Sequence, residues 1–176
     1  GTPAPEFSLP DANGQQHALS DDAAATVVMF ICNHCPFVQH VREEFPRLAA
    51  DYQARGVAIF AINSNDLDNY PQDGPEAMQR ESEALGYTFP YLLDEDQSVA
   101  KAYQAACTPD FYVFDGDLRL AYRGQLDDSR PSNGKPVTGR DIRAALDAVL
   151  SGEPASDVQV PSIGCNIKWK PGNEPR

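Results

Sequence analysis

Residues 25–35 read ATVVMFICNHC and join an apolar run to two cysteines, Cys32 and Cys35. The β-branched and aromatic residues before Cys32 predict a buried strand. Downstream, apolar side chains recur at helical spacing from Val38 to Tyr52, which predicts an amphipathic helix. Cys32 should therefore lie exposed at a helix start, where free N–H groups and the helix dipole favour a thiolate. Cys35, one turn later and more buried, is placed to close a small disulfide ring with it.

The rest of the chain predicts an α/β fold. A second buried strand follows the helix at residues 57–62, and a strand–helix–strand crossover of this length makes the two strands parallel. Apolar runs flanking the turn at residues 115–117 predict an antiparallel hairpin. The expected architecture is a central mixed sheet with helices on both faces, preceded by a β arm and followed by an irregular tail. Residues 1–176 should form one domain, with the tail at 153–176 packed back on it.

Three local features refine this prediction. Pro46 should kink or divide the helix that follows the cysteines. The polar segment 125–137 is long enough to suggest a functional lid or a mobile loop. Thr138, with Asp141 three residues on, predicts a capping box that opens the last helix.

Composition limits the function. The net charge of −12 over 176 residues argues against nucleic acid as a partner, because phosphate binding needs clustered lysine and arginine. No apolar run is long enough to span a membrane, and four cysteines do not make a disulfide-rich scaffold. The predicted location is the cytoplasm. The periplasm is the alternative if the N-terminus, which opens at Gly1, has been processed.

A C-x-x-C pair is chemically ambiguous. Zinc or copper could bind through Cys32, Cys35, His34 or His40. A structural zinc site, however, usually requires a second C-x-x-C or an H-x-x-H, and the sequence has neither. Beside a strand–helix–strand pattern, the redox interpretation is favoured over the metal site. No cofactor or metal is therefore predicted.

The strand–C-x-x-C–helix arrangement, the following strand, and Cys107-Thr108-Pro109 before a hairpin together resemble the thioredoxin fold. The extra segment before Pro109 and the opening arm at residues 3–9 are similar to larger redoxins, those of the AhpC/TSA and TlpA/ResA types. The resemblance covers roughly residues 3–150. It implies that Pro109 is a cis-proline beside the redox pair, and that Thr108 and Pro109 shape a groove for an extended substrate chain.

The sequence departs from both relatives at informative positions. Where thioredoxins have a tryptophan and a buried acid, this chain has Ile31 and Thr26. Where peroxiredoxins have a threonine three residues before their reactive cysteine, it has Met29. Arg123 is the candidate for a peroxidase arginine, although a surface ion pair is the commoner role. These departures favour disulfide exchange over peroxide reduction.

His34 precedes the second cysteine, as in bacterial disulfide oxidants such as DsbA. A histidine there can lower the pKa of Cys32, which predicts a pair less reducing than that of thioredoxin; a solvated loop histidine without effect is the alternative. Cys107 has a buried apolar role by default. Cys165, in the tail, is either a resolving thiol for Cys32 or a structural one.

These observations predict a thiol–disulfide oxidoreductase with a redox-active disulfide, in which Cys32 attacks and Cys35 resolves. Its partners should be protein or small-molecule disulfides and a thiol reductant; the oligomeric state is not predicted. One alternative is a thiol-dependent peroxidase, an antioxidant acting on peroxides through Cys32. The other is a metal-binding or copper-delivery module.

Overall fold

The strand before the cysteines is the centre of the molecule. In the computed structural model, which describes residues 1–175, strand β3 (Ala25–Phe30) is buried along its whole length. Because side chains alternate across a strand, Val27 and Met29 enter one core cluster, whereas Val28 and Phe30 enter another on the opposite face.

The other elements follow in chain order. The strands are β1 (Ser8–Pro10), β2 (Gln16–Ala18), β4 (Val57–Asn63), β5 (Tyr91–Leu93), β6 (Cys107–Thr108), β7 (Asp110–Phe114), β8 (Leu120–Gly124) and β9 (Cys165–Asn166). The helices are α1 (Pro36–Val41), α2 (Glu44–Gln53), α3 (Pro75–Leu85), α4 (Ser98–Tyr103) and α5 (Arg140–Leu150), with a short 3₁₀ helix at Pro71–Asp73.

The main sheet has five strands in the order β5-β4-β3-β7-β8. Strands β3, β4 and β5 run parallel, and β7 and β8 are antiparallel to their neighbours. Helices α1, α2, α3 and α5 pack on one face, and α4 packs on the other together with Phe7 of the arm. The predicted mixed sheet with helices on both faces is therefore confirmed.

Two local predictions need correction. The last helix begins at Arg140 rather than in a Thr138–Asp141 capping box, because the buried carboxylate of Asp127 accepts the N–H groups of Thr138 and Gly139 at 2.7 Å each. Asp127 also accepts the Ser129 N–H at 2.9 Å, so its loop is anchored to the domain rather than free as a lid.

The helix after the cysteines is divided as predicted. The break at residues 42–43 lies just before Pro46, whose missing N–H cannot bond the carbonyl one turn earlier.

The tail is not wholly irregular. Its residues 165–166 form strand β9, which pairs antiparallel with β6 so that Cys165 lies opposite Thr108. Ile167, just beyond, is buried in the second core cluster.

No helix within residues 1–175 has the length and apolar character needed to cross a membrane.

Candidate redox site

Both cysteines of the motif lie where β3 meets α1, and both are buried. Cys32 is 1% exposed and Cys35 is 0% exposed. The prediction that Cys32 is exposed at the helix start is wrong, because α1 begins at Pro36 and its N-cap residue is Cys35. The remaining contacts of the two sulfurs come from segments distant in sequence.

Thr108 and Pro109 lie against this pair, and the peptide bond between them is cis. The Thr108 hydroxyl is 3.5 Å from Cys32 Sγ, and the Thr108 carbonyl accepts a hydrogen bond from Cys35 Sγ at 3.4 Å. One residue thus contacts both sulfurs, through its side chain and its main chain.

A further set of contacts to the motif comes from a carboxylate that the sequence analysis did not identify. Asp73, at the end of the 3₁₀ helix, is fully buried and accepts the N–H of Asn33 at 2.8 Å and that of His34 at 3.3 Å. Its other oxygen lies 2.5 Å from His34 Nδ1 and accepts Asn65 Nδ2 at 3.1 Å. Asp73 therefore holds the backbone between the two cysteines as well as the His34 ring.

No sequence signal marked Asp73, because it sits in a loop rich in aspartate, asparagine and proline that turn chemistry alone explains. The acid that the thioredoxin resemblance places at Thr26 is absent there. A carboxylate from a different element lies beside the pair instead.

His34 is accordingly a partner of Asp73. Its ring also stacks on Tyr70, with centroids 5.5 Å apart, and about a quarter of the side chain is exposed. His40, the other candidate metal ligand, points elsewhere and contacts the Ser129 hydroxyl at 2.7 Å.

The electrostatics of the pair are asymmetric. Its hydrogen bond with Cys35 and then burial raise the pKa of Cys32 far above the ordinary value, and the negative charge of Asp73 adds to this increase. The same hydrogen bond from Cys32 lowers the pKa of Cys35 to about 4, against the effect of burial, and contacts with Cys165 and the Val38 N–H assist. The hydrogen bond between the two thiols therefore favours the thiolate form of Cys35 over that of Cys32.

The prediction that His34 lowers the pKa of Cys32 is not supported by this arrangement. The charged side chain that acts on Cys32 is Asp73, and its negative charge disfavours a Cys32 thiolate. His34 is hydrogen-bonded to Asp73.

The remaining thiols fall into two different environments. Cys165 Sγ lies 2.6 Å from Cys35 Sγ, so the tail brings a third thiol to the pair, next to Cys35 rather than Cys32. Cys107 points away, toward the carbonyls of Pro109 at 3.7 Å and Ser162 at 3.9 Å, and burial raises its pKa to about 12.

Arg123, the candidate peroxidase arginine, is engaged elsewhere. It forms an ion pair with Asp110 at 3.2 Å, donates to the Gln104 carbonyl at 2.8 Å and stacks over the Tyr112 ring. These contacts hold Arg123 against the β7–β8 hairpin, where its positive charge lowers the pKa of Cys107 and so opposes the effect of burial.

A metal ion has one candidate set of ligands within residues 1–175. Sulfur of Cys32, a ring nitrogen of His34 and an oxygen of Asp73 lie within 4.8 Å of one another. The donor types suit zinc or copper, but the oxygens of Asp73 already accept four N–H groups. Metal binding would break the His34–Asp73 hydrogen bond, so these three residues fit a metal ion poorly.

The mixed sheet, the two cysteines that follow its central strand and the adjacent cis-proline define a thioredoxin-fold protein. A thioredoxin domain of a Bacteroides vulgatus thiol-disulfide oxidoreductase shares the fold, with a TM-score of 0.59 at 15% identity over 70% of this chain and 86% of that one. The model of the AhpC/TSA family matches residues 1–123. The chain belongs to the AhpC/TSA family.

Two solved structures are similar over nearly the whole chain. A Geobacillus kaustophilus protein described as uncharacterized is 62% identical, with a TM-score of 0.95 over 98% of this chain and 93% of that one. A hypothetical protein from Sinorhizobium meliloti is 55% identical, with a TM-score of 0.96 over 98% and 95%. Neither name assigns an activity.

Named relatives are more distant. The thiol-disulfide oxidoreductase ResA of Geobacillus kaustophilus is 28% identical over 72% of this chain and 70% of its own length. A Mycobacterium tuberculosis protein provisionally named a peroxiredoxin is 29% identical over 60% of this chain and 63% of its own. The chain thus spans about two thirds of the length of these curated relatives.

Proposed function

We propose that this protein is a thiol–disulfide oxidoreductase that works through Cys32 and Cys35. The observation that carries the proposal is the contact of both buried sulfurs with Thr108, beside its cis peptide bond to Pro109; the lowered pKa of Cys35 agrees with it. A stabilised thiolate beside a second thiol is the arrangement that disulfide exchange requires. Relatives named thiol-disulfide oxidoreductases support the same class of reaction.

Cys32 is the sulfur that meets the substrate in this proposal. Cys35 is enclosed by Cys32, the Thr108 carbonyl and Cys165, whereas Cys32 adjoins the partly exposed His34. The lowered pKa of Cys35 makes it the group placed to take the proton from Cys32 as a substrate disulfide approaches. The Thr108 hydroxyl, 3.5 Å away, donates to the sulfur that becomes charged.

The reaction then has two exchange steps. Cys32 attacks one sulfur of the substrate disulfide, the substrate S–S bond breaks, and the departing thiolate takes up a proton. Cys35, whose proton has passed to that first leaving group, attacks Cys32 as a thiolate. The Cys32–substrate S–S bond breaks, and the second substrate sulfur leaves as a thiolate that is protonated from solvent. The substrate gains two electrons, Cys32 and Cys35 become a disulfide, and a thiol reductant restores them. The predicted cytoplasmic location is compatible with such a reductant and stays a prediction.

The test compares turnover of a small disulfide, oxidised glutathione, by wild-type protein and serine variants in the presence of a dithiol reductant. We expect C32S and C35S each to lose at least 100-fold in the protein-dependent rate. C107S removes a thiol outside the pair and should stay within twofold of wild type. Wild-type turnover no faster than the uncatalysed reaction, or equal rates in all variants, would exclude the proposed function.

Peroxide reduction is the second candidate, favoured by the hydroxyl of Thr108 beside Cys32 and by the relative provisionally named a peroxiredoxin. Thr108 would take the place of the hydroxyl missing at Met29. Replacing the disulfide by hydrogen peroxide in the same assay distinguishes the two reactions. A peroxide rate that exceeds the disulfide rate and is lost in C32S would favour the peroxidase.

Metal binding is the least favoured candidate: Cys32, His34 and Asp73 offer clustered donors, but a metal would compete with the hydrogen bonds at Asp73. Zinc and copper titrations of the reduced protein test it, with H34A as the ligand variant and H40A as the matched control. Tight binding lost only in H34A would support a metal site in place of the redox function.

A further inference from the structure

The C-terminal tail delivers a third thiol to the redox pair, and its placement is held on both sides. Before Cys165, the Ser162 hydroxyl donates to the Gly124 carbonyl at 2.6 Å. After it, Ile167 is buried and its N–H bonds the Ala106 carbonyl at 3.2 Å. Lys168 N–H then donates to Asn65 Oδ1 at 2.9 Å, on the loop that leads to the 3₁₀ helix. The tail therefore spans the site from the β7–β8 hairpin to the Asn65 loop.

The approach of the tail to Thr108 depends on a glycine. Cys165 pairs with Thr108 across the β6–β9 ladder, and a Cβ on the preceding Gly164 would overlap the Thr108 carbonyl group. The absence of that side chain lets the tail backbone lie close enough for Cys165 Sγ to reach 2.6 Å from Cys35 Sγ.

The tail also occupies the edge of the cis-proline loop. Strand β9 takes the backbone pairing positions of Thr108, where the thioredoxin resemblance implied a groove for an extended substrate chain. The thiol presented at that edge is consequently the protein's own Cys165.

We propose that Cys165 is a third redox cysteine, which exchanges with the Cys32–Cys35 disulfide at Cys35 and returns Cys32 to its thiol form. This inference rests on the proposed function and adds a residue to it. Cys35 is the shared partner, because its sulfur contacts Cys165 and lies within the same motif as Cys32.

The exchange balances without an outside oxidant. Cys165 loses its proton and attacks Cys35 Sγ; the Cys35–Cys165 bond forms as the Cys32–Cys35 bond breaks. The electron pair leaves on Cys32 Sγ, which takes up a proton beside the Thr108 hydroxyl. One disulfide replaces another with no change in electrons or protons. A dithiol reductant then reduces Cys35–Cys165, becomes oxidised itself, and restores both thiols.

As a consequence, Cys32 is a free thiol again and can react with a second substrate disulfide while the protein still holds the Cys35–Cys165 disulfide. The oxidation received from the first substrate is kept at the site as that disulfide until the reductant removes it.

Disulfide mapping of the full-length protein tests the proposal. C32S, C107S and wild type are equilibrated in the same series of dithiol–disulfide buffers, quenched in acid, alkylated and digested for mass spectrometry. In C32S we expect reversible formation of Cys35–Cys165 as the major disulfide. In wild type and C107S, both Cys32–Cys35 and Cys35–Cys165 should be recovered. Failure of Cys35 and Cys165 to pair in C32S, under buffers that oxidise wild-type Cys32 and Cys35, would overturn the proposal.

Kinetics of C165S supply the second readout. C165S should retain the single-turnover reaction of Cys32 with oxidised glutathione, whereas its steady-state turnover should fall about tenfold. Unchanged steady-state turnover in C165S, with activity still lost in C32S, would overturn the role of Cys165 and leave the proposed function intact. Loss of the proposed function itself would instead appear as absent turnover in wild type, whatever disulfides the mapping finds.

Discussion

The buried carboxylate of Asp73 should control the reactivity of Cys32, and D73N is the perturbation that isolates its charge. Oxygen of Asp73 and sulfur of Cys32 lie within 4.8 Å, and the carboxylate is fully buried. Two unit charges at that distance repel by about 3 kcal/mol at an effective dielectric constant of about 20. Since about 1.4 kcal/mol corresponds to one pKa unit, D73N should lower the pKa of Cys32 by about 2 units.

The assay measures the rate of Cys32 alkylation by iodoacetamide as a function of pH, with the alkylated peptide quantified by mass. A C35S background removes the proton shared with Cys35, so that the pH profile reports Cys32 alone. The direction follows from the charge: less repulsion makes the thiolate available at lower pH, so alkylation of C35S/D73N should rise at lower pH than that of C35S. D127N, which neutralises a buried carboxylate in the 125–137 loop, is the matched control and should leave the profile unchanged.

An equal or higher pKa of Cys32 in C35S/D73N would refute the reasoning. It would mean that the hydrogen bonds that Asp73 accepts offset the effect of its charge at Cys32. Circular dichroism of each variant establishes that the fold is retained.

Three further outcomes are expected. T108V removes the hydroxyl 3.5 Å from Cys32 Sγ, and the lost hydrogen bond, worth about 1 kcal/mol, should slow the first exchange step about fivefold at neutral pH in stopped-flow measurements. G164A should displace the tail from Thr108 and reduce recovery of Cys35–Cys165 by at least tenfold in mapping, whereas G116A, whose Cβ would make only an ordinary 3.5 Å contact, should not. D127A leaves three N–H groups without their acceptor and should lower the free energy of unfolding by about 2–3 kcal/mol in urea titrations, with a smaller loss arguing that water replaces the carboxylate.

The order of strands and helices could be predicted because it depends on local patterns. The β-branched and aromatic residues of the apolar run at 25–31 favour a buried strand, and Pro46 disfavours a continuous helix wherever the chain is packed. The hairpin at residues 110–124 likewise follows from two apolar runs around a turn. In each case the information lies within a few neighbouring residues.

The burial of the cysteines could not be predicted in the same way. Helical spacing placed Cys32 at a helix start, but the helix begins at Pro36, and contacts from Thr108 and Asp73 enclose the motif. The capping box at Thr138 failed for a similar reason: Asp127, eleven residues away, supplies the acceptor that a local motif was expected to supply. Side chains distant in sequence decide both outcomes.

The sequence by itself determined the class of chemistry, because two thiols at a strand–helix junction and a Thr108-Pro109 turn are properties of neighbouring residues. Only the tertiary structure decided how that chemistry is tuned. It brings Asp73 to the backbone N–H of His34 and Cys165 to Cys35, across 39 and 130 residues of chain. Electrostatic energy and disulfide exchange depend on distances of a few ångströms, and such distances between remote segments are set by packing rather than by local pattern.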